Sequence, residues 1–291
     1  MANDTQELGQ FIPLHYHYNM LSDSIRMEGF KAAINHVVAP GTTALELGGG
    51  TGVLSFFAAQ KARKVYCVEF NPALVDVSRK LLKANHCSEQ VEVIHADAFE
   101  YLPPEPVDAV ICEMLHVGLL REKQLEVIDS FKSRYQRRFE SALPVFIPMA
   151  TIQAIQPVKH DFQYEGYHAP LVMFQYPYSS DPRTTVLGDP VIYHQVIYEQ
   201  PFGLSCNWSG SLPLAVEGAV NALRIMTKSV LAMTPEPASE AICWDNQFLI
   251  LPLEREVLVQ PGQKLAVSLD YAAGAPLSAL QPIVTGPFSD S

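Results

Sequence analysis

The chain has 291 residues, of which 48% are hydrophobic and 18% charged, a composition typical of globular rather than disordered proteins. Its net charge of -11 disfavours binding to a nucleic-acid backbone and favours a basic partner. The amino-terminal residues show no signal-peptide pattern, and no run of about 18 apolar residues occurs, so we expect neither secretion nor membrane insertion. The 5 cysteines have no metal-binding spacing, and a cytoplasmic location without a bound metal is the expectation.

The prolines divide the chain unevenly, because most of the 22 lie from Pro144 onward. At about 100 to 200 residues per domain, the length predicts two domains. We therefore expect residues 1–143 to form amino-terminal helices and a cofactor-binding domain. Residues 144–291 would form a β-rich domain that binds the substrate.

The first part of the chain alternates apolar runs with helical patterns. The predicted elements are, in order, a helix over residues 22–34, a strand over 42–47, a helix over 53–60, a strand over 65–68, a helix over 72–84, strands over 91–94 and 107–112, and a helix over 123–139. This order predicts an α/β, Rossmann-like, doubly wound parallel sheet that binds ligands at the carboxyl ends of its strands.

After Pro144 the pattern becomes β-rich. Strands are predicted over residues 150–156, 171–176, 191–198, 248–253 and 264–271. Two exceptions are expected, a helix over 216–231 and a loop over 178–189. The second domain should therefore be an antiparallel barrel or sandwich.

A glycine-rich segment, ELGGGTG, joins the first strand to its helix. Gly48, Gly50 and Gly52 do not fit a dinucleotide fingerprint, because Val53 stands where its third glycine would be. Glu46 disfavours a pyrophosphate and suits the positive charge of S-adenosylmethionine. An ordinary tight turn is the alternative.

Two more acidic positions follow strands of the predicted sheet. Glu69 lies about 20 residues past the glycines, where a carboxylate can bind ribose hydroxyls. Asp97 and Ala98 lie where the adenine edge would be, although Asp97 could equally cap a turn. The combination resembles the S-adenosylmethionine-dependent methyltransferase superfamily, with ELGGGTGVLSFFAA and VYCVEF as its first two cofactor motifs. S-adenosylmethionine is accordingly the predicted cofactor.

Two glutamates, Glu113 and Glu122, follow the fourth strand nine positions apart. On one helix they would point in opposite directions, so joint action requires a hairpin, which Gly118 makes possible. A converging pair of carboxylates suits a guanidinium, whose donors form a planar fork. The alternative is a polar strand end followed by an exposed residue in the first turn of a helix.

This segment is similar to the double-glutamate loop of the protein arginine methyltransferases. The family's H-x-x-M-L-x-D-x-x-R pattern is matched upstream by His17, Met20, Leu21, Asp23 and Arg26. Downstream, ICWDNQ over residues 242–247 stands where the family has its T-H-W-x-Q loop. The resemblance spans roughly residues 11–272 and follows the family's order.

The resemblance implies a cofactor role for the upstream residues. Arg26 would pair with the methionyl carboxylate of the cofactor, while His17 and Met20 would contribute to closing its site. Without the family, Arg26 could be a surface charge on a helix. His15 and His17 could be a chance pair, and they lack the third ligand of a metal site.

For the acceptor, the resemblance implies that Glu113 and Glu122 hold a guanidinium and that Trp244 and Cys243 shape the substrate pocket. The expected partner is a basic, arginine-containing peptide or a small-molecule acceptor, and a homodimer is possible. Two alternatives stay open. One is a methyltransferase for a small metabolite or a non-arginine side chain, and the other is a non-catalytic binding scaffold.

The chain also departs from the family's pattern. In the aromatic lid segment only Phe11 remains, and Glu7 stands for the first tyrosine. The other replaced positions are Phe99 for an adenine-contacting acid, Met114 for tryptophan, Val117 for tyrosine, Gln124 for methionine and Cys243 for histidine. These changes are compatible with cofactor binding, and they leave the acceptor open.

Overall fold

The structure is a computed structural model that describes residues 14–234 and 239–289. Its helices are α1 (Leu14–Ser22), α2 (Ser24–Val37), α3 (Val53–Ala59), α4 (Pro72–Ala84) and α5 (Gln124–Phe139), with single helical turns at Val117–Leu119 and Leu277–Ala279. Its first strands are β1 (Thr43–Leu47), β2 (Lys64–Glu69), β3 (Val91–His95), β4 (Ala109–Cys112) and β5 (Val145–Ile147). The later strands are β6 (Ala150–His160), β7 (Gln163–Tyr164), β8 (Tyr167–His168), β9 (Met173–Gln175), β10 (Thr184–Val186), β11 (Val191–Ile197), β12 (Ser205–Pro213), β13 (Gly218–Met233), β14 (Ala241–Asp245), β15 (Phe248–Val259), β16 (Lys264–Ala272) and β17 (Ile283–Phe288).

The first five strands form a parallel sheet in the order β3-β2-β1-β4-β5. Every residue of β1 is buried, as expected for a strand with helices on both faces. The helices begin at local signals, since Asn71 caps α4 ahead of Pro72 and Asp23 caps α2. The strand order reverses between β1 and β4, so the carboxyl ends of these two strands flank the crevice where such sheets bind ligands. The predicted Rossmann-like sheet is confirmed.

The parallel sheet continues past the boundary expected after residue 143. β5 pairs in parallel with β4 through Val145, Phe146 and Ile147. We propose that the division between the two parts of the chain falls between β5 and β6.

The second part of the chain is built from antiparallel strands. A seven-stranded sheet has the path β10-β6-β13-β15-β9, with β11 added beside β6 and β14 beside β13. A three-stranded sheet, β12-β16-β17, and the short hairpin β7-β8 complete it. The β-rich character is confirmed, although the pairings of the described strands form open sheets rather than one closed barrel. The predicted loop over 178–189 contains the short strand β10.

The helix predicted over residues 216–231 is wrong, because this segment is the 16-residue strand β13. From Ile225 to Leu231 burial alternates, with Thr227 and Ser229 buried and Lys228 exposed. The backbone of β13 pairs with β6 on one side and with β15 and β14 on the other. These partners are remote in sequence, and they satisfy the backbone groups that a helix would satisfy locally.

Helix α2 joins the two parts of the molecule by packing on β13 and β14. Its Gly29 permits this approach, since a Cβ there would lie 3.3 Å from the Leu231 side chain and 3.6 Å from the Cys243 carbonyl. One apolar core therefore runs from the parallel sheet to Leu231 and Trp244. Among the described helices, none has the length and apolar character needed to cross a membrane.

Candidate active site

A cavity of about 290 Å³ opens at the carboxyl ends of β1 and β4. Most of the residues predicted for the site line it, namely His17, Met20, Arg26, Glu46, Gly48, Gly50, Glu69, Asp97, Ala98, Glu113 and Glu122. The cavity therefore brings the glycine loop, the carboxylates of β2 and β4 and the amino-terminal helices to one place.

The glycine loop places backbone without side chains beside the cavity. Gly48, Gly50 and Gly52 all have positive φ angles, of 79°, 53° and 79°, which side chains disfavour. A Cβ at Gly50 would lie 2.8 Å from His17, and a Cβ at Gly48 would lie 3.1 Å from Met114. Gly52 lies outside the cavity lining, directly before α3. Two of these glycines thus make room at the site, and the third starts a helix.

Glu69 holds the glycine loop and faces the cavity. Its carboxylate accepts hydrogen bonds from the backbone N–H groups of Gly50, at 2.8 Å, and Asn71, at 2.7 Å. A carboxylate has lone pairs for about four hydrogen bonds, so it can accept further donors such as ribose hydroxyls. Glu69 therefore lines the cavity with acceptor capacity left for a ligand, and its contact with ribose hydroxyls stays a prediction.

Glu46 lies deeper, at the end of β1, and is 2% exposed. It accepts hydrogen bonds from the backbone N–H of Ser55, at 2.9 Å, and from the Ser55 hydroxyl. Burial raises the pKa of Glu46 to about 7. The structure thus ties Glu46 to the start of α3, and its electrostatic effect on a cofactor stays a prediction.

Helix α1 covers the mouth of the cavity. His17 packs against Gly50, and burial lowers the pKa of its imidazole, while the nearby Glu69 opposes this shift. The side chain of His15 and the departures at Glu7 and Phe11 lie outside the described residues. Among the residues that are described, no three His, Cys, Asp or Glu side chains group as a metal site.

Asp97 and Ala98 form the far side of the cavity, after β3. The Asp97 carboxylate accepts a hydrogen bond of 2.9 Å from the backbone N–H of Phe99. This is the capped turn that the sequence left open as an alternative, and Asp97 lines the cavity as well. The side chain therefore can fix the turn and face a ligand at the same time.

The two glutamates after β4 are brought together by a hairpin. Gly118 has a φ of 70°, and the chain turns back through Val117–Leu119 before α5 begins at Gln124. As a result Glu113 and Glu122 line the same cavity. The hairpin that the spacing required is present.

Arg26 forms a salt bridge with Glu113, and both side chains are more than nine-tenths buried. The guanidinium also lies 5.5 Å from the centre of the Phe30 ring and 5.9 Å from that of Trp244. Because a guanidinium has five N–H donors, this pairing leaves donors for a second carboxylate. Arg26 thus links α2 to Glu113, directly after β4, and its cofactor role stays a prediction.

Glu122 has no such partner among the described residues, and its electrostatic environment is unfavourable for charge. Burial first, and then the negative charge of Glu113, raise the pKa of Glu122 to about 8. Burial also raises the pKa of Glu113, against the opposing effect of Arg26. A pair of carboxylates in this state favours a cationic ligand, which would relieve their mutual repulsion.

Trp244 and Cys243 do not line the cavity. Trp244 is 6% exposed. The centre of its ring lies 6.0 Å from that of the Phe30 ring, and the Arg26 guanidinium lies over both rings. Cys243 turns its carbonyl toward Gly29 of α2. The structure therefore places β14 behind the site, where it supports Arg26, and the predicted substrate contacts of both residues stay predictions.

Three polar side chains without a predicted role hold the hairpin. Gln124 bonds to the backbone on both sides of Glu113, the Thr227 hydroxyl accepts a 2.8 Å bond from the N–H of Gly118, and Asn246 donates to the Leu115 carbonyl at 3.0 Å. Polar or charged residues stand next to each of them in the sequence, so no local pattern singles them out. Their importance becomes visible only when the backbone groups that they bind are known.

The cavity fits S-adenosylmethionine by the chemistry of its walls. Positive-φ glycines admit a ligand close to the backbone, and Glu69 offers acceptors at one end. Arg26 provides a cation toward the other end, next to Glu113. These residues would hold the ribose and the methionyl carboxylate, respectively.

Comparison with known proteins assigns residues 44–134 to a family described as a methyltransferase domain. The chain is 30% identical over 272 residues to an uncharacterized protein of Methanothermobacter thermautotrophicus, covering 91% of this chain and 96% of that protein. An uncharacterized protein of Methanocaldococcus jannaschii is 27% identical over 266 residues, covering 91% and 95%. Protein arginine N-methyltransferase PRMT10 of Arabidopsis thaliana is 38% identical over 125 residues, which are 42% of this chain and only 32% of that protein.

Two solved structures share the fold. One is the PRMT1 enzyme-prozyme heterotetrameric complex of Trypanosoma brucei with AdoHcy, with a TM-score of 0.73, 16% identity and coverage of 93% of this chain and 96% of that chain. The other is protein arginine methyltransferase 10 of Arabidopsis thaliana, with a TM-score of 0.72, 19% identity and coverage of 94% and 97%.

The sheet order, the glycine loop and these matches define the chain as a class I S-adenosylmethionine-dependent methyltransferase. It resembles the protein arginine methyltransferases and belongs to the same family as the Methanothermobacter thermautotrophicus protein. An enzyme of this class uses S-adenosylmethionine as its cofactor, which sets aside the non-catalytic scaffold.

Proposed function

We propose that the protein transfers a methyl group from S-adenosylmethionine to a guanidinium nitrogen of an arginine side chain. The observation that carries this proposal is that Glu113 and Glu122 line one cavity together with Arg26 and the glycine loop. Two buried carboxylates beside the cofactor site form a receptor for a planar cation with several donors. A cationic acceptor would favour the ionised form of Glu122, whereas a neutral acceptor would leave its protonated form favoured below its pKa of about 8.

In this proposal, Glu113 and Glu122 make the acceptor a better nucleophile. A guanidinium has a pKa above about 12 and is a poor nucleophile while its charge is delocalised. Hydrogen bonds to Glu113 and Glu122 would draw positive charge to one side and leave the opposite nitrogen richer in electrons. The raised pKa of Glu122 suits it to accept the proton that the nitrogen loses.

The cofactor, when bound, supplies an electrophilic methyl group on a positively charged sulfur. The main task of the protein is then to hold the acceptor nitrogen in line with that group. Glu69 and Arg26 would fix the two ends of the cofactor, while the hairpin after β4 fixes the acceptor.

Carboxylate variants test this proposal. An arginine-rich peptide and labelled S-adenosylmethionine are incubated with the protein and with Glu113→Gln and Glu122→Gln. We expect label transfer by the unaltered protein and a loss of about 10²-fold or more in each variant, since each removes a charge-assisted hydrogen bond in the transition state. Full turnover by both variants would show that the carboxylates do not hold the acceptor.

A second candidate is a methyltransferase whose acceptor is a small metabolite or a non-arginine side chain. The salt bridge between Arg26 and Glu113 favours it, because a smaller acceptor could bind Glu122 alone. Competition between the peptide and free guanidino and amino compounds separates the two candidates. We propose in addition a basic protein partner on the ground of charge and a homodimer on the ground of resemblance. A cytoplasmic location is proposed on the ground of the unpaired cysteines.

A further inference from the structure

Gln124 is a buried polar residue at the start of α5, and the chemistry proposed for the site does not use it. Its side chain is 1% exposed. The rest of α5 is held by apolar packing, through residues such as Leu125, Ile128 and Phe131, all nearly inaccessible to solvent. The helix therefore does not depend on Gln124 for its contact with the sheet.

The amide of Gln124 binds the backbone on both sides of Glu113. Its Nε2 donates a hydrogen bond of 2.7 Å to the carbonyl of Cys112, and its Oε1 accepts one of 2.9 Å from the N–H of Met114. The Cys112 thiol lies 3.4 Å from the same Oε1. Donor and acceptor of one side chain thus fix the peptide units that carry Glu113.

Gln124 also lies two residues after Glu122. One side chain therefore connects the helix start that carries the second glutamate to the strand end that carries the first. The path through the hairpin is longer and includes a positive-φ glycine. The hydrogen bonds of Gln124 join the two ends of the hairpin directly. They therefore constrain the separation of the two carboxylates more closely than the hairpin itself does.

We propose that Gln124 is a positioning residue that sets the separation and orientation of Glu113 and Glu122 for the acceptor. This inference rests on the proposed function, because it concerns the same acceptor site. It assigns the role to an amide in this chain, because only a side chain with both a donor and an acceptor can bond to both peptide units. The arginine methyltransferases have methionine here, together with a tryptophan and a tyrosine at the positions of Met114 and Val117, so the amide link is a feature of this chain and not of that family.

The first test is Gln124→Met, which keeps the length of the side chain and removes both hydrogen bonds. We expect turnover of an arginine peptide to fall by about 10²-fold, since small misplacements of catalytic groups have effects of this size. The dissociation constant for S-adenosylmethionine should change by less than about twofold, because Gln124 is not in the cavity lining. Gln136→Met, an exposed position on the same helix, is the matched control and should leave turnover unchanged.

A second variant, Gln124→Glu, tests whether the two hydrogen bonds of the side chain carry the effect. A protonated glutamic acid can donate to the Cys112 carbonyl and accept from the Met114 N–H, whereas a glutamate can only accept. The turnover of Gln124→Glu relative to the unaltered protein should therefore rise as the pH falls. If Gln124→Met fails to fold, the pH dependence of Gln124→Glu still tests the proposal.

Three results would overturn the inference. The first is normal turnover by Gln124→Met, and the second is a relative turnover of Gln124→Glu that does not change with pH. The third is a loss of cofactor binding in proportion to the loss of turnover, which would indicate general damage to the fold. If the unaltered protein methylates no arginine, the proposed function fails instead, so the two failures are distinguishable.

Discussion

At the scale of single residues, Arg26 attracts Glu113 electrostatically and Glu122 repels it. Arg26 pairs with it and partly neutralises its charge, whereas Glu122 is repelled by it. The site therefore has one satisfied carboxylate and one for which protonation is favourable until a cation arrives. A cationic acceptor would change the state of Glu122 more than that of Glu113.

The pKa of Glu122, about 8, predicts a pH dependence of catalysis. Below this value Glu122 is protonated and cannot act as an anionic partner for a guanidinium. We expect kcat/KM for an arginine peptide to fall about tenfold for each pH unit below 8 and to level off above it. Steady-state rates between pH 6 and pH 9.5 measure this.

Cofactor binding provides the control for that profile. Calorimetric affinity for S-adenosylmethionine should show no transition near pH 8, because Glu122 belongs to the acceptor side of the cavity. Any change in this affinity should instead be centred at the pKa of Glu46, about 7, where this group ionises. A kcat/KM that stays constant between pH 6 and pH 9.5 would show that Glu122 does not need to ionise for acceptor binding.

At the scale of elements, the hairpin between β4 and α5 converts a spacing of nine residues into a convergent pair. Its turn depends on Gly118, and side chains from α5, β13 and the loop after β14 bond to its backbone. Backbone hydrogen bonds also join it to Gly274 and Ala275, after β16. A left-handed backbone position costs a side chain roughly 1 to 2 kcal/mol. The hairpin is thus where backbone conformation would affect the proposed reaction.

Gly118→Ala should lower both stability and activity. We expect the free energy of unfolding to fall by about 1 to 2 kcal/mol, because the φ of 70° disfavours alanine. We also expect lower turnover by the folded protein, since the new Cβ would lie 3.2 Å from the Leu120 side chain and displace the hairpin. Urea unfolding and rates per folded molecule measure the two effects.

Gly166→Ala is the matched control for this variant. Gly166 also has a positive φ, of 87°, but it is exposed between β7 and β8, with no atom within 4 Å of a new Cβ. It should lose similar stability and keep its turnover. Equal turnover in the two variants would show that the hairpin's conformation does not control the reaction.

The elements that the sequence predicted well are those with local signals. The glycines, Asn71 and Pro72 mark where helices begin, and short apolar runs mark the buried parallel strands. β13 was mistaken for a helix because its partners are β6 and β15, which no local pattern reveals. For the same reason Gln124 and Thr227 gave no readable signal, since their importance comes from backbone groups that only the fold brings near them.

At the scale of the whole molecule, the cavity lies at the carboxyl ends of the parallel strands, and the antiparallel strands reach it through α2. Helix α2 carries Arg26 and packs against β13 and β14, so one element contacts the cofactor cavity and the second part of the chain. Cofactor binding should therefore stabilise the entire fold rather than one half of it.

S-adenosylmethionine should raise the free energy of unfolding by about 2.7 kcal/mol when its concentration is 100 times its dissociation constant. Glu69→Gln should weaken this binding by about tenfold or more, because it replaces a charged acceptor for hydroxyl groups. Thermal unfolding with and without the cofactor measures both. Glu89→Gln, at an exposed position, should behave like the unaltered protein.

The most direct test of the central claim is to locate the transferred methyl group. The protein is incubated with S-adenosylmethionine and a peptide that contains arginine, lysine and histidine, and the product is fragmented by mass spectrometry. We predict methylation on the guanidino nitrogens of arginine, and its loss in a variant that carries Glu113→Gln and Glu122→Gln together. Methylation confined to another side chain, or arginine methylation that persists in this double variant, would contradict the account.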